Sequence, residues 1–137
     1  MDKFTTEKRS EIMSHISGKE TKPEISVRKF LFGHGFRYRK NNAALPGKPD
    51  IVLSKYKTVI FVNGCFWHGH RNCKKAELPV TNRAFWQEKV EGNKRRDVRQ
   101  IEELEEMGYR VITLWQCELT SKFREKTLDN LLKSITS

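Results

Sequence analysis

Apolar residues gather in short segments separated by polar turns, and the spacing within each segment predicts its secondary structure. Residues 25–32 carry apolar side chains that suit one buried side of a helix. Pro23 fits the first turn of this helix, and Gly33-His34-Gly35 ends it. Three segments rich in β-branched residues predict strands: 51–53, 58–62 and 110–115. Residues 36–39 alternate and predict a further, short strand.

Two more helices follow in the second half of the chain. The polar segment from Asn82 to Met107 predicts a long helix that Gly108 ends. Apolar residues between 123 and 135 recur at helical spacing and predict a C-terminal helix. With a short helix over residues 6–16, the predicted order is α-α-β-β-β-α-β-α. This order is typical of an α/β domain with a mixed sheet flanked by helices.

The balance of charges indicates a polyanionic partner. The 137 residues include 27 Lys and Arg against 17 Asp and Glu, a formal charge of +10. Basic residues are spread along the chain, so the positive surface belongs to the fold and favours nucleic acid as the partner. A basic protein without such a partner is the alternative. The length predicts one domain, and an apolar fraction of 36% excludes a disordered basic tail.

The same composition argues against a membrane protein. No apolar run approaches the roughly 20 residues that a spanning helix needs. The first residues lack the apolar stretch of a signal peptide. We therefore expect a cytoplasmic protein.

The long helix carries a carboxylate on its inward face. One stripe of this helix has steps of three and four residues; it comprises Trp86, Val90, Asn93, Asp97, Ile101 and Leu104. A carboxylate turned toward the protein is costly unless it meets a donor or a charge. Asp97 therefore either faces a functional cleft with a histidine partner, or is solvated or paired with a neighbouring arginine where the helix leaves the core.

Cysteine and histidine residues form a candidate metal site. The three cysteines, an odd number, argue against a disulfide framework in a cytoplasmic chain. Thiolate and imidazole are the ligands that structural zinc prefers. A set that uses every cysteine is Cys65, His70, Cys73 and Cys117. His68 in place of His70 is an alternative, and three separate reduced thiols are another.

Two large aromatic residues, Phe66 and Trp67, lie between Cys65 and His68. On a loop held by zinc they would form a wedge able to enter a base stack. The alternative is that they pack against the long helix through Phe85-Trp86.

The segment from Leu45 to Asp50, Leu-Pro-Gly-Lys-Pro-Asp, is a turn that precedes a strand. It resembles the first half of the Pro-Asp…Asp/Glu-x-Lys nuclease signature. Cleavage of a phosphodiester uses a hard divalent cation held by carboxylate and carbonyl oxygens. Asp50 can supply the carboxylate and the neighbouring strand end, near Val62, a carbonyl. The usual second acid and lysine are absent, because Val62-Asn63-Gly64 occupies their place.

Together with Val59–His70, Phe85-Trp86 and Gly108–Val111, this turn makes the chain resemble the very short patch repair endonuclease family from about Thr6 to Cys117. The resemblance implies a restriction-endonuclease-like core of the PD-(D/E)xK type with a structural zinc site. It also implies a magnesium-dependent DNA mismatch endonuclease. Such an enzyme nicks the thymine-bearing strand at T:G mispairs, which arise when 5-methylcytosine deaminates.

The resemblance also implies roles for individual residues. Asp50 and the main-chain carbonyl of Val62 match the magnesium site, and His68 matches the catalytic histidine oriented by Asp97. Four residues match zinc ligands: Cys65, His70, Cys73 and Cys117. Four others match residues that enter the DNA beside the mismatch: Phe66, Trp67 and Trp86 from one groove, and Met13 from the other.

One position departs from the family pattern. A histidine of that pattern is replaced here by Asn63, and the glutamate that partners it matches Glu24. Asn63 does not titrate near neutral pH, although it donates and accepts hydrogen bonds. Glu24 is alternatively an acid favoured in the first turn of a helix by the helix dipole. The departure leaves His68 as the clearer general base.

We expect residues 1–137 to form one endonuclease domain, with 1–20 as a DNA-contacting segment and 21–137 as the nuclease core. The expected partner is double-stranded DNA with a T:G mismatch. We expect the protein to be a monomer and to associate with the nucleoid. Mismatch-repair proteins and a cytosine-5 DNA methyltransferase system are the expected repair context. Two other functions stay open: a related restriction-type or structure-specific endonuclease, and a non-catalytic mismatch-binding module.

Overall fold

A computed structural model describes residues 21–40 and 42–137, which form a four-stranded sheet and three α-helices. The helices are α1 (Lys22–Gly33), α2 (Arg83–Glu106) and α3 (Arg124–Thr136). The strands are β1 (Arg39–Lys40), β2 (Ile51–Leu53), β3 (Thr58–Asn63) and β4 (Arg110–Trp115). The helix expected over residues 6–16, and with it Met13, lies outside the described residues.

The strands lie in the order β1-β2-β3-β4, and the sheet is mixed. The first three strands form an antiparallel meander, whereas β3 and β4 are parallel and α2 connects them. Parallel strands end at the same edge of a sheet, and an antiparallel neighbour begins there. The start of β2 and the ends of β3 and β4 therefore meet at one edge, which we call the site edge.

The sheet is covered on both faces, as the predicted mixed sheet flanked by helices requires. Helices α1 and α3 pack on one face with Ile51, Leu53 and Ile60. Leu104 of α2 packs on the other face with Val52 and Val59. Alternate residues of β2 thus enter different cores, as the period of a strand dictates. No helix in the described ranges is long and apolar enough to span a membrane.

The strand expected over residues 36–39 is wrong in its bounds, because pairing is confined to Arg39 and Lys40. Phe36 instead helps to end α1, since its N–H donates to the carbonyl of Leu31 at 3.0 Å. Gly35, with φ of 85°, makes the turn that this contact needs. β3 extends one residue beyond the predicted strand 58–62, because Asn63 is still paired with Trp115 of β4.

Candidate active site and metal centre

Asp50 stands at the site edge immediately before β2, opposite the end of β3. Its Oδ2 accepts the backbone N–H of Val62 at 2.6 Å. The N–H and the carbonyl of one strand residue point to the same side of the strand. The Val62 carbonyl therefore faces the side on which Asp50 lies, as a cation site built from these two groups requires.

Burial governs the electrostatics of Asp50. It raises the pKa of this carboxyl from 3.8 to about 6, and the negative charge of Glu24 acts in the same direction. The hydrogen bond from Val62, together with the charges of His68 and Arg28, lowers the same pKa. The ionised carboxylate is therefore disfavoured by its surroundings, and a divalent cation beside it would restore the charged form.

His68 and Asp97 form a close pair. Nδ1 of His68 lies 2.6 Å from Oδ2 of Asp97, and the two side chains are 30% and 26% exposed. When the Nδ1–H donates to the carboxylate, Nε2 carries the lone pair that can accept a proton. Of the two interpretations of Asp97, the structure thus shows the one with a histidine partner.

The four predicted metal ligands come together beside the site edge. One ligand atom from each of Cys65, His70, Cys73 and Cys117 lies within 4.8 Å of the others. Sγ of Cys117 is 3.3 Å from Nδ1 of His70, and the His70 ring stacks on Trp115 at a centroid distance of 4.1 Å. Cys65, Cys73 and Cys117 are thus not separate thiols, and the imidazole that lies among them is that of His70 rather than that of His68.

The chemistry of this cluster fits a metal ion. Three thiols and one imidazole are a common ligand set for a closed tetrahedral site. Burial raises the pKa of the Cys117 thiol to about 12, so this group holds its proton at neutral pH when no cation is bound. A metal ion would displace that proton and be bound as metal thiolate.

The aromatic residues of the predicted wedge pack on one another. Phe66, Trp67 and Trp86 make edge-to-face contacts, with ring centroids 5.4 to 5.8 Å apart. Contact with α2 through Trp86 is thus confirmed, while entry into a base stack stays a prediction. Phe66 and Trp67 also line a cleft of about 470 Å³ that includes Asn63 and His68.

Helix α2 binds the loop that runs from Cys65 to His70 and carries Trp67 and His68. Nδ2 of Asn93 donates to the carbonyl of Trp67 at 2.9 Å, one helical turn before Asp97 binds His68. The helix thus fixes two consecutive loop residues. Sequence reasoning missed this contact of Asn93, and the available signal was its place on the inward stripe of the helix.

We expect Gly69→Ala to destabilise the protein by about 1–3 kcal/mol, because overpacking and backbone strain add. Gly69 has φ of 59°, and a Cβ there would lie 2.9 Å from Cγ1 of Val90. Urea unfolding measures the effect. Gly33→Ala is the matched control, since a Cβ at Gly33 meets nothing within 4 Å. Equal stability of the two variants would contradict this close approach of the loop to α2.

Glu24 is buried, with 2% of its surface exposed, although it lies in the first turn of α1. Its Oε1 is 3.4 Å from Nη1 of Arg28, one turn further along the helix. Arg28 is itself 8% exposed. The sequence pattern did not single out Arg28, because an arginine at i+4 from a glutamate is usually a solvated surface pair.

A carboxylate at a strand end, an Asp–His pair and a positively charged chain are together compatible with a nuclease. Comparison with known proteins specifies the class. A family model described as DNA mismatch endonuclease Vsr matches residues 1–75. The chain belongs to this family, and it is a DNA endonuclease that acts on phosphodiester bonds.

Three relatives agree with this assignment. The chain is 55% identical over 136 residues to the type II nicking enzyme V.NmeAIP of Neisseria meningitidis serogroup A, covering 98% of this chain and 96% of the relative. It is 42% identical over 124 residues to DNA mismatch endonuclease Vsr of Escherichia coli K12, and the match covers 90% of this chain and 78% of the relative. It is 42% identical over 119 residues to the type II nicking enzyme V.XorIIP of Xanthomonas oryzae pv. oryzae, covering 87% of each.

Proposed function

We propose that this endonuclease nicks the thymine-bearing strand of duplex DNA at T:G mispairs left by deamination of 5-methylcytosine, in very short patch repair, with magnesium as the cofactor. The observation that carries the proposal is the meeting of Asp50, the Val62 backbone and the His68–Asp97 pair at the site edge. The Vsr relative of E. coli bears the name DNA mismatch endonuclease. A core of the PD-(D/E)xK type is part of the same proposal.

Each residue of the site has a separate role in the proposed hydrolysis. The Asp50 carboxylate and the Val62 carbonyl would hold magnesium, which supplies Lewis-acid stabilisation of the charge that develops on the phosphate. Nε2 of His68 accepts the proton of the attacking water. Asp97 keeps the imidazole oriented and stabilises its protonated form. Asn63 lines the same cleft and orients water or phosphate by hydrogen bonding, since an amide does not exchange a proton at neutral pH.

Selection of the mismatch rests on the aromatic residues. Phe66, Trp67 and Trp86 are proposed to enter the base stack beside the mispair, with Met13 entering from the other groove. Distorting a mismatched step costs less free energy than distorting a paired one, so the wedge itself favours the mismatch. Phe85, which is 57% exposed and contacts Trp86, widens this aromatic surface.

We propose zinc as the ion of the Cys65, His70, Cys73 and Cys117 site, because thiolate and imidazole donors select it and no open position is needed for a structural role. Backbone bonds close the loop between the first two ligands. The N–H of His70 donates to the carbonyl of Cys65 at 2.9 Å, and that of His68 donates to Gly64 at 3.2 Å. A bound ion thereby fixes both the aromatic wedge and His68.

The wider setting follows from the same proposal. Residues 1–137 form one domain with a nuclease core over 21–137, and the protein acts as a monomer because a single mispair has no two-fold symmetry. DNA is the partner, at the nucleoid. Mismatch-repair proteins and a cytosine-5 methyltransferase would act on the same DNA before or after the nick.

We expect His68→Ala to lower the single-turnover cleavage rate by about 10²–10⁴-fold, the usual contribution of a general base. Asp97→Asn should cause a smaller loss, because the imidazole is then present but poorly oriented. The double variant should be no slower than His68→Ala, since Asp97 acts through the histidine. If the loss of rate in the double variant equals the product of the losses in the two single variants, His68 and Asp97 do not act as a pair.

A strand-resolved nicking assay tests the proposed function. Duplexes that carry T:G, T:A or C:G at one position are labelled on each strand in turn and incubated with or without magnesium. We expect a magnesium-dependent nick beside T in the T:G duplex alone. Cutting of the matched duplexes would favour the restriction-type alternative, and tight T:G binding without cutting would favour the binding module.

A further inference from the structure

The cleft at the site edge is lined by the start of α1, the end of β3 and the loop that follows β3. The loop contributes Trp67 and His68, and the end of β3 contributes Val62 and Asn63. Its volume of about 470 Å³ lies in the range of pockets that hold a small organic molecule. A DNA strand whose phosphate reaches His68 enters this cleft and therefore passes the first residues of α1.

Lys22 gives the α1 side of the cleft its charge. Thr21, Lys22 and Pro23 line the cleft from this side. Among the described residues that line it, Lys22 is the one lysine, arginine, aspartate or glutamate. Lys22 is exposed, and it forms no ion pair with any other residue in the described ranges. Its ammonium group is thus available to an anion that enters the cleft.

The charge of Lys22 is unfavourable for the helix that carries it. Lys22 is the first residue of α1, where the helix dipole favours a negative charge over a positive one. The Thr21 hydroxyl already accepts the backbone N–H of Glu24 at 3.4 Å, so α1 is capped without any contribution from Lys22. A residue that breaks a local rule in this way is expected where its side chain serves a function.

We propose that Lys22 binds the phosphate next to the scissile phosphate of the cut strand and thereby positions the scissile phosphate beside Asp50 and His68. An ammonium group binds a phosphate as a point charge and does not read the base. The cleft then combines a charged group for the backbone with aromatic rings, from Phe66 and Trp67, for the bases. This inference rests on the proposed mechanism of cleavage at the site edge.

A phosphate contact has consequences that a structural role of Lys22 would lack. Removal of its charge should leave the protein at least as stable as wild type, because the unfavourable interaction with the helix dipole is lost. The affinity for DNA should fall at the same time. The salt dependence of binding should also decrease, because one fewer counterion is released from the DNA.

The test compares Lys22→Met with Lys22→Arg, which keeps the charge, and with Lys29→Met. Lys29 is the matched control, because it is an exposed lysine two turns further along α1 and does not line the cleft. Affinities for a T:G duplex and for the matched T:A duplex are measured without magnesium over a range of salt concentrations. Urea unfolding and single-turnover nicking with all DNA bound are measured on the same variants.

We expect Lys22→Met to bind both duplexes about 5–10-fold more weakly near physiological salt, and the slope of log K against log salt to become shallower by about 0.9. Its nicking rate with all DNA bound should fall about 10-fold, since the scissile phosphate is less well positioned. Lys22→Arg should retain the salt slope of wild type, because the charge is unchanged. Lys29→Met should retain both the slope and the nicking rate.

An unchanged salt slope in Lys22→Met, or equal losses in Lys22→Met and Lys29→Met, would overturn the inference. A shallower slope with an unchanged nicking rate would also overturn it, because Lys22 would then bind DNA without positioning the scissile phosphate. A loss of nicking that accompanies a loss of stability would make Lys22 a structural residue. If wild type binds the T:G duplex but does not nick it, the proposed function fails, and the salt slopes still show whether Lys22 contacts a phosphate.

Discussion

Asp50→Asn is expected to slow magnesium-dependent DNA cleavage by about a thousandfold or more, because stabilisation of the transition state by a bound cation is worth several kcal/mol. Affinity for DNA should change little, since phosphate contacts by basic residues dominate binding. Single-turnover cleavage and a binding titration on the same duplex measure the two effects. Asp129→Asn, on the exposed side of α3, is the control for loss of one negative charge. A variant that retains more than a tenth of the wild-type rate would remove Asp50 from the mechanism.

The same variant should be more stable than wild type at neutral pH when magnesium is absent. Burial raises the pKa of Asp50 from 3.8 to about 6. Between these two values the native state holds the proton more firmly than the unfolded chain does, so stability falls as the pH rises. Asparagine removes this penalty, which is on the order of 3 kcal/mol above about pH 6, and its side-chain oxygen can still accept the Val62 N–H.

Urea unfolding of wild type and Asp50→Asn across the acid-to-neutral range tests this stability difference. We expect the two proteins to be nearly equal in stability below about pH 3, where the carboxyl is neutral in both states, and to diverge as the pH rises from about 4 to about 6. Added magnesium should narrow the difference, since it binds the native wild-type protein. A difference that does not depend on pH would contradict the electrostatic explanation.

Loss of one ligand from the Cys/His site is expected to unfold much of the protein at physiological temperature. Structural zinc contributes about 10–16 kcal/mol of apparent folding free energy in small domains, whereas a whole domain is stable by only about 5–15 kcal/mol. Cys73→Ser changes a ligand atom with little change in shape. We expect it to lower stability by at least about 3 kcal/mol and to abolish nicking.

Metal analysis and thermal melting check this expectation. Wild type should contain one zinc ion per chain, and a strong chelator should lower its melting temperature to that of Cys73→Ser. Lys75→Ala is the control, because Lys75 lies two residues away, is exposed and provides no ligand. Protein that melts at the same temperature with and without the ion would show that this cluster does not support the fold.

The elements with strong local patterns were predictable from the sequence. β3 and α2 have the expected bounds within a residue or two, since a β-rich apolar run and a helix ended by glycine are local signals. The metal cluster was predictable because three cysteines and a nearby histidine are the residue types that structural zinc prefers. The inward stripe of the helix predicted that Asp97 faces the protein, and the family resemblance then implied His68 as its partner.

Other features depend on contacts between distant segments. The extent of β1 is set by pairing with Ile51 and Val52, which no local pattern shows. The Glu24–Arg28 pair has the spacing of a surface pair, and its burial depends on how α1 packs on the sheet. The bond from Asn93 to Trp67 requires the loop to fold back on α2, which becomes visible only in three dimensions.

The most direct test of the account is the ratio of two single-turnover rates, measured with magnesium on duplexes that differ in one base. One duplex carries T:G and the other T:A at the same position, with the thymine strand labelled. We predict a nick beside thymine that forms at least about a hundredfold faster in the T:G duplex and is absent when magnesium is removed. Equal rates on the two duplexes, or cleavage that persists without a divalent cation, would contradict it.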